Sequence, residues 1–322
     1  MDFQARRKVY ILIVMIGVIA LFHYLTPTEP HYYHKIHIVL RKLYFLPPII
    51  AAVWFGLRGA CVTALTVSLL FIMHAFLDWP GNYMEQANQI GELAGFWAAG
   101  VIPGWLFDRQ RSLLQELANA NEETLLGLVS ALDLREHNTR LHSQRVREYT
   151  ELIANRLGVD EKTKLEIGFG ALLHDVGKIA VPDQILLKPG KLTDQEWSEM
   201  RKHPDAGYRI VKRIGFLKNA AEIVYAHHEQ FDGSGYPRGL KGESIPLGAR
   251  MFMVVDVYDA LTSERPYRSP MIYEEATAEI KRQSGSHFDP VIVDTFMSIA
   301  PEELQAIAGR YQDAGNGDTL AG

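Results

Sequence analysis

Sulfur ligands are almost absent from this sequence of 322 residues, which contains a single cysteine, Cys61, inside an apolar run. One thiol cannot form an intramolecular disulfide, and it excludes the metal sites that need two or more cysteines. Any metal ion bound by this chain must therefore be held by histidine, aspartate or glutamate side chains.

The sequence also lacks a strong excess of charge of either sign. Its 33 lysines and arginines stand against 38 aspartates and glutamates, which gives a formal net charge of -5 with histidine neutral. Proteins that bind nucleic-acid polymers usually carry a basic patch or stripe. We therefore expect no nucleic acid polymer among the partners.

Charged residues are scarce before about Phe107, where the sequence is dominated by apolar segments. These segments are 9–25, 43–57, 60–77 and 90–107. A bilayer span needs roughly 17–25 predominantly apolar residues, so we predict about four spans in a transmembrane helical bundle over residues 1–107. Pro47 and Pro48 interrupt the short second segment. That segment could instead be a re-entrant or buried helix, which would leave three spans.

Positive charge predicts the orientation of these segments, because cytoplasmic loops are enriched in lysine and arginine. The basic residues near the predicted cytoplasmic ends are Arg6, Arg7, Lys8, Arg58, Arg109 and Arg111. We therefore expect both termini in the cytoplasm. Lys35, Arg41 and Lys42 do not fit this pattern, since they fall in the first predicted outer loop. His74, inside the third segment, is predicted to lie at a helix interface rather than to sense a signal.

Residues 109–137 have apolar residues at helical intervals. We assign 108–124 as a helical linker. It could pair with its copy in a homodimer, or it could simply lead into the first helix of the following domain, and the two readings are compatible.

The region 125–312 is predicted to be an all-α helical bundle, because its apolar residues recur with helical periodicity. Thr193 is a good N-cap with Glu196 at the capping-box position, and Gly158 and Gly177 are predicted to end helices. The tail 313–322 is predicted to be disordered.

Two pairs of adjacent metal-binding side chains lie in segments predicted to be helical: His174 with Asp175, and His227 with His228. Neighbouring residues on a helix diverge by about 100°, so each pair suits a site with two centres. Two metal ions roughly 3.5–4 Å apart would be such a target. From the spacing alone, a dinuclear site and a set of structural histidines remain about equally supported.

Several separated motifs, in order along the chain, resemble the HD-GYP family, which are bacterial phosphodiesterases of cyclic di-GMP within the HD metal hydrolases. The motifs are ALLHDVGKIAVPDQILLKPGKLT, KHPDAGYRI, HHEQFDGSGYPRGLKGESIPLGAR, VVDVYDALTSERPYR and GSHFDP. The resemblance covers roughly Leu125 to Ile299. The apolar region before it resembles the small four-span input modules that precede bacterial signalling domains.

The resemblance implies a role for each matching residue. Asp175 would bridge two metal ions, and Lys178 would reach the scissile phosphate, so these two are the expected catalytic residues. One metal would be completed by His142, His174 and Asp256, and the other by His203, His227 and His228. The substrate would be contacted by Lys178, Gly235, Tyr236, Pro237, Arg265 and Arg268.

A ligand set of imidazole and carboxylate without sulfur suits iron, manganese or zinc. The expected cofactors are two divalent metal ions, iron or manganese. Some members of the family carry a glutamate that binds a third metal ion. Asn138 occupies that position here, and an amide is a poorer ligand than a carboxylate, so we expect two. Asp259 and His287 are predicted to support the fold rather than to bind metal.

The implied reaction is attack on phosphorus by a hydroxide held between the two metals, giving pGpG, with further hydrolysis to GMP left open. The implied location is the inner membrane of a bacterium, with the catalytic domain in the cytoplasm. The implied partners are cyclic di-GMP, membrane lipid, a second copy of the chain, and diguanylate cyclases or effector proteins. Two alternatives remain: a non-catalytic cyclic di-GMP receptor, and a hydrolase of another cyclic dinucleotide such as 3′3′-cGAMP.

Overall fold

The structure, a computed structural model, describes residues 3–27, 33–78, 83–136, 141–264 and 269–317. Within these ranges the regular elements are all helices, as the periodicity predicts. The chain divides into two compact units, Met1–Asn121 and Glu122–Gly322. Asn138, Arg265, Arg268 and the last five residues of the predicted disordered tail lie outside the described residues.

The first unit is built from long apolar helices. They are α1 (Phe3–Leu25), α2 (His34–Leu43), α3 (Leu46–Asp78) and the first part of α4 (Tyr83–Glu136). Three stretches within the described residues are long and apolar enough to cross a membrane, namely Phe3–Leu25, Lys35–His74 and Ile90–Arg135. We predicted about four separate spans, so the count differs, and the difference arises inside the second stretch.

The second stretch folds back on itself at Gly56, whose φ of 67° and ψ of -155° interrupt the helix. Phe45 and Phe71 both contact the ring of Phe96, with centroids 4.7 and 5.1 Å away. One turn further along α4, Pro48 and Ala60 both lie beside Gly100. Because the order of these contacts reverses after Gly56, the two legs of α3 are antiparallel. The second and third predicted segments are therefore the legs of one broken helix.

The break at Gly56 is stabilised by the end of the apolar part of α4. The carboxylate of Asp108 accepts a hydrogen bond of 2.8 Å from the backbone N–H of Leu57, and the guanidinium of Arg111 donates one of 2.7 Å to the carbonyl of Val53. These are backbone groups that lose their partners where a helix stops. A side chain at position 56 would collide with Asp108, so glycine is required there.

The second unit is a bundle of short helices that follows the end of α4. They are α5 (His142–Arg156), α6 (Glu161–Leu172), α7 (Asp183–Leu186), α8 (Asp194–Met200), α9 (His203–Val211), α10 (Lys218–Ala226), α11 (Leu247–Thr262), α12 (Tyr273–Arg282), α13 (Pro290–Met297) and α14 (Pro301–Gly317). Helix α11 is buried in the middle, and Met251, Phe252 and Val254 have no exposed surface. Burying apolar side chains of this size contributes about 1.5–3 kcal/mol each, so α11 is the centre of the core.

Several local predictions can be compared with this fold. The capping box of Thr193 and Glu196 is confirmed at the start of α8, and Gly158 follows α5 with a positive φ of 69°. Gly177 does not end a helix; it lets the chain approach α9, since a Cβ there would lie 1.9 Å from the carbonyl oxygen of His203.

The predicted boundaries at residues 107 and 124 both fall inside α4, which runs through them without a break. The tail predicted to be disordered from residue 313 is helical as far as Gly317. No proline follows Pro301 to break α14, and Ala314 is a good helix former, so the helix continues beyond the predicted limit.

Candidate metal centre

Three histidines of the second unit lie directly at the ends of helices and are held in the same way. In each, the ring nitrogen Nδ1 donates to the backbone carbonyl three residues earlier. The pairs are His174 with Ala171 at 2.8 Å, His203 with Met200 at 2.8 Å, and His227 with Val224 at 2.6 Å. Each bond satisfies a carbonyl at the end of the preceding helix. It also fixes the proton on Nδ1, so the lone pair on Nε2 is available to a metal ion.

The positions of these residues differ from the prediction in one respect. His174 and Asp175 were predicted to lie within a helix, but α6 ends at Leu172; His227 and His228 likewise follow the end of α10 at Ala226. Their side chains diverge because the chain turns there, rather than because of the helical step of 100°. A helix end also suits a cation, since the partial charge at a helix C-terminus is negative.

A first ligand group consists of His203, His227 and His228, with ligand atoms that all lie within 4.8 Å of one another. The Nε2 atoms of His203 and His227 are 3.1 Å apart. Because both rings carry their proton on Nδ1, the two facing nitrogens both present lone pairs, which repel each other. A cation between them converts this repulsion into attraction, so the pair has the geometry of two ligands of one ion.

A second ligand group consists of His142, His174 and Asp256, again with all ligand atoms within 4.8 Å of one another. The Nε2 atom of His142 lies 3.3 Å from Oδ1 of Asp256, and the rings of His142 and His174 meet edge to face. Two imidazoles and a carboxylate leave positions free for water or substrate on a four- to six-coordinate ion.

Asp175 lies between the two groups, with one carboxylate oxygen toward each. Its Oδ2 is 3.0 Å from Nε2 of His174, and its Oδ1 is 3.4 Å from Nε2 of His203 and 3.8 Å from Nε2 of His227. The ammonium of Lys178 is 2.7 Å from Oδ2. A carboxylate placed in this way can bridge two cations.

Burial and neighbouring charges prepare these groups for metal binding. Burial lowers the pKa of His203, lowers that of His227 well below its ordinary value and lowers that of His228 to about 4, so the rings are neutral near pH 7. Burial alone would raise the pKa of Asp175, but His174 and Lys178 hold it well below its ordinary value. These three imidazoles are therefore neutral and Asp175 is ionised, which are the forms that bind metal.

His142 has a different environment. Burial alone would lower its pKa, but hydrogen bonds to Asp256 and Asp259 raise it to about 10. Its Nδ1 donates to Oδ2 of Asp259 at 2.7 Å, and Arg145 donates to Oδ1 of the same carboxylate at 2.8 Å. Asp259 therefore orients His142, a predicted metal ligand. A metal ion at His142 must displace a proton.

Sequence reasoning did not identify Arg145 or Glu229. Arg145 lies three residues after His142 on α5, so both face the same side of that helix. Glu229 is buried, and its carboxylate accepts hydrogen bonds from the backbone N–H groups of Arg238 at 2.7 Å and Leu240 at 2.9 Å. It holds the loop of Gly235, Tyr236 and Pro237, called the GYP loop below, against the centre. Glu229 directly follows His227 and His228, two predicted ligands, and this position was the feature of the sequence that could have indicated its role.

The GYP loop packs closely on the first ligand group. A Cβ on Gly235 would lie 2.3 Å from the backbone nitrogen of Gln230, so only glycine fits. The ring of Tyr236 stacks on the ring of His228 with centroids 4.7 Å apart. The guanidinium carbon of Arg201 lies over the Tyr236 ring, 5.4 Å from its centroid. Tyr236 therefore joins a ligand histidine to a surface arginine.

An open cavity of about 470 Å³ adjoins this loop. It is lined by Arg201, Lys202, Asp205, Ala206, Arg209 and Pro237. Three of these side chains are cationic and one is acidic, so the cavity favours anionic ligands.

The seven predicted metal ligands thus come together around one carboxylate, and Lys178 and the GYP loop lie beside them. Arg265 and Arg268 belong to the residues that the structure does not describe. The donor set consists of five imidazoles and two carboxylates, which fits two ions of iron, manganese or zinc.

Several known proteins with similar sequences are named as phosphodiesterases of cyclic dinucleotides. The cyclic di-GMP phosphodiesterase response regulator RpfG of Xanthomonas campestris is 40% identical over 211 residues, 65% of this chain and 56% of that protein. A cyclic di-GMP phosphodiesterase of Vibrio cholerae is 37% identical over 285 residues, 80% of this chain and 56% of that protein. A 3′3′-cGAMP-specific phosphodiesterase 2 of Vibrio cholerae is 40% identical over 188 residues, 58% of this chain and 36% of that protein.

The matched region covers 56% of the length of RpfG and 56% of the length of the cyclic di-GMP phosphodiesterase of Vibrio cholerae. A family model described as an HD domain matches residues 128–292, which is more than half of the 322 residues and includes all seven predicted ligands. The chain therefore belongs to the HD domain family.

Proposed function

We propose that this chain is a metal-dependent phosphodiesterase that hydrolyses cyclic di-GMP to pGpG, with GMP as a further product to be tested. The observation that carries the proposal is the position of Asp175. Its two oxygens face separate groups of ligands, at 3.0 Å from His174 and 3.4 Å from His203, and Lys178 lies at 2.7 Å. A bridging carboxylate beside a cation is typical of sites that cleave phosphate esters.

The residues that would hold the metals are the seven described above, in two groups joined by Asp175. When bound, two divalent cations would supply an activated water and would offset negative charge on the phosphoryl group. The chain itself contributes Lys178, whose ammonium lies at the centre and can neutralise a phosphoryl oxygen. Asp259 keeps His142 in the tautomer that leaves Nε2 toward the site.

Substrate binding is assigned to the GYP loop and to the cavity beside it. Gly235 brings the backbone close to the first ligand group, and Tyr236 offers an aromatic ring that is stacked on His228. Pro237 and Arg201 line the adjoining cavity, where a second phosphate of a cyclic dinucleotide would meet cationic side chains. Arg265 and Arg268 remain proposed contacts to phosphate or guanine.

A second candidate substrate is 3′3′-cGAMP. The similar proteins of Vibrio cholerae include one named as specific for it, and its identity to this chain, 40%, equals that of the cyclic di-GMP phosphodiesterase RpfG. Both compounds are cyclic dinucleotides with two phosphodiester bonds, so the metal centre suits either. The two substrates differ in one base, guanine or adenine, so the side chains that contact that base would decide between them.

The apolar first unit is proposed to anchor the enzyme in the inner membrane of a bacterium and to regulate it. Helix α4 is continuous from Tyr83 to Glu136, so it joins the apolar stretch to the second unit. Leu113, Leu114 and Leu117 are exposed on it, and covering them would favour a homodimer. Diguanylate cyclases or effector proteins remain possible further partners of such an assembly.

The test is hydrolysis by the purified full-length protein in detergent, loaded with Mn²⁺ or Fe²⁺ and given cyclic di-GMP, 3′3′-cGAMP and a linear dinucleotide separately. We expect release of pGpG from cyclic di-GMP, and a loss of at least about 10³-fold in His174→Ala and Asp175→Ala together with loss of bound metal. The exposed Asp294→Ala is the control and should retain activity.

Binding of cyclic di-GMP without turnover by the metal-loaded protein would reject the enzyme in favour of a receptor. Faster turnover of 3′3′-cGAMP than of cyclic di-GMP would select the second substrate. Wild-type turnover in Asp175→Ala would remove the basis of the proposal.

A further inference from the structure

A second cluster of histidines lies in the first unit and shares no residue with the candidate metal centre. His23 is near the end of α1, His37 is in α2 and His74 is near the end of α3. All three are buried, with exposed fractions of 0, 3 and 0%. One ligand nitrogen from each lies within 4.8 Å of the other two. Three helices therefore deliver one imidazole each to a common point.

The rings are packed closely. The rings of His23 and His74 are stacked with centroids 3.7 Å apart, and His37 lies 5.1 Å from His23 and 5.2 Å from His74. Among the described residues, neither ring nitrogen of His23 has a hydrogen-bond partner. A buried polar group without a partner costs about 1–3 kcal/mol. A ligand for His23 would remove that cost.

His37 has a defined proton. Its Nε2 lies 2.7 Å from the carbonyl oxygen of Thr26, and since a carbonyl only accepts, Nε2 carries the hydrogen. The lone pair of a neutral His37 is then on Nδ1. A backbone carbonyl that orients an imidazole in this way is the usual companion of a metal-binding histidine.

The surroundings of the cluster decide which ions it can bind. The ring of Tyr44 is 5.4 Å from that of His23, and the ring of Phe71 is 6.0 Å away. Arg41 donates to one carboxylate oxygen of Glu92 at 2.8 Å, and among the described residues the group of candidate ligands contains no carboxylate. The cluster consists of nitrogen donors with an aromatic border, whereas magnesium and calcium need oxygen ligands. Imidazole suits zinc, copper, iron and nickel; copper has the highest affinity of these divalent ions, and three histidines are a known zinc ligand set.

We propose that His23, His37 and His74 form a binding site for one transition-metal ion, zinc or copper. Metal–nitrogen distances of about 2.0–2.1 Å place the nitrogens of a tetrahedral ion about 3.3 Å apart. The three nitrogens lie within 4.8 Å of one another, so they would approach by up to about 1.5 Å, and the stacked rings of His23 and His74 would turn to face one ion. Three histidines leave the fourth position for water or an exogenous ligand. Ionisable side chains within apolar spans are often functional.

A bound ion would tie α1, α2 and α3 together at the end of the unit where α1 stops and α2 begins. These helices also contact their neighbours through apolar side chains, with Ile19, Tyr44, Val67, Phe71 and Phe96 in one cluster, and through a hydrogen bond of 2.7 Å from the hydroxyl of Tyr24 to the carbonyl of Leu70. A metal bond across three helices would hold this arrangement more firmly. The proposal does not depend on the reaction of the second unit.

The experiment measures metal in full-length protein purified in detergent. Wild type, His23→Phe, His74→Phe and Cys61→Ser are equilibrated with Zn²⁺ or Cu²⁺, freed of excess ion and analysed for metal per chain. Phenylalanine retains an aromatic ring, and far-UV circular dichroism checks the fold. His37→Asn is the second variant should the phenylalanine substitutions fail to fold. Cu²⁺-loaded samples are also examined by electron paramagnetic resonance for nitrogen coupling.

We expect each histidine variant to bind one ion fewer per chain than wild type, while Cys61→Ser matches wild type. The copper spectrum of wild type should contain a nitrogen-coupled component that the variants lack. Equal metal content in wild type and in every folded histidine variant would overturn the proposal. An equal loss in Cys61→Ser would overturn it too, since the loss would then not depend on the imidazoles.

Discussion

Each histidine at the end of a helix in the second unit has one nitrogen committed to the protein and one turned toward the centre. Nδ1 of His174, His203 and His227 donates to a carbonyl three residues earlier. The sequence could suggest these residues as metal ligands only through the resemblance of its motifs, in their order along the chain, to the HD-GYP family. It could not predict their tautomers, because these depend on where the preceding helices end.

Asp259 tests the role of the residues that orient the ligands. In Asp259→Asn the side chain keeps its shape but loses its charge beside His142 and Arg145. We expect metal affinity to fall by about 10–100-fold, so that activity requires more added Mn²⁺ but recovers at high concentration. The measurement is a metal titration of hydrolysis, with the exposed Asp294→Asn as the control. An unchanged metal requirement would contradict this role.

The buried histidines predict how stability depends on pH in protein stripped of metal. Burial lowers the pKa of His228 to about 4, against about 6.5 in the unfolded chain. As the pH falls from about 6.5 to 4, the unfolded state takes up protons that the folded state refuses, so stability is lost. His203 and His227 shift in the same direction. His142, with its pKa raised to about 10, stays charged in the folded state, and it opposes this loss by only a few tenths of a kcal/mol as the unfolded state completes its protonation below about pH 6.5.

We therefore expect the unfolding temperature of the metal-stripped protein to drop between pH 6.5 and 4.5. His228 alone contributes at most roughly 3 kcal/mol. Thermal melts of wild type and His228→Asn measure this, and the variant should lose part of the pH dependence. A stability that is flat or rises as the pH falls through this window would be contrary to the account.

At the scale of elements, periodicity and capping residues predicted the helices well and their interruptions poorly. The capping box at Thr193 is local chemistry, and it is present. Gly177 and Gly56 are different, because both are required by close contact with residues far along the chain, His203 and Asp108. A glycine in a sequence can indicate either an unusual backbone conformation or a place with no room for a side chain. Only the packing in the folded structure distinguishes the two.

The GYP loop gives a prediction of this kind. A methyl group on Gly235 would lie 2.3 Å from the nitrogen of Gln230 and 2.5 Å from Cα of Glu229, so in Gly235→Ala the loop must shift. Tyr236 would then lose its stacking on His228. We expect kcat/KM to fall by about 10–100-fold while metal content is retained. Gly215→Ala, where a Cβ meets open space, is the matched control in the same kinetic assay.

A fall in Gly215→Ala as large as that in Gly235→Ala would show that the loss comes from glycine replacement in general. Unchanged kinetics in Gly235→Ala would remove the loop from the substrate site.

Arg135, near the end of α4, supplies a second element-scale prediction. Its guanidinium donates to the carbonyls of Lys178 at 3.1 Å and Val181 at 2.7 Å, and to the carboxylate of Asp183 at 2.6 Å. It therefore holds the segment that carries Lys178. In Arg135→Ala we expect kcat to fall by about tenfold or more, since a small misplacement of a catalytic group is costly.

Steady-state kinetics and metal analysis of Arg135→Ala test this, with Arg156→Ala as the control. Arg156 also pairs with a carboxylate in the second unit, that of Glu303, and its further hydrogen bond goes to the carbonyl of Ser298 rather than to the segment that carries Lys178. Loss of metal together with activity in Arg135→Ala would point to general damage. Wild-type kcat would mean that Lys178 needs no such support.

At the scale of the whole molecule, the change from apolar to charged sequence predicted the two units. The structure divides the chain at Asn121 and Glu122, inside the predicted linker. The number of apolar stretches long enough to cross a membrane was harder to predict. Helix α3 counts as one such stretch, but it consists of two antiparallel legs on either side of Gly56. The cluster of His23, His37 and His74 could not be seen in the sequence, since it depends on three helices meeting at one end.

The account as a whole depends on seven side chains of the second unit holding two metal ions with Asp175 between them. The most direct measurement is anomalous X-ray scattering from crystals of the Mn²⁺-loaded protein. We predict two peaks roughly 3.5–4 Å apart, one beside His203, His227 and His228 and the other beside His142, His174 and Asp256. A single peak, or two peaks that Asp175 does not join, would contradict the account.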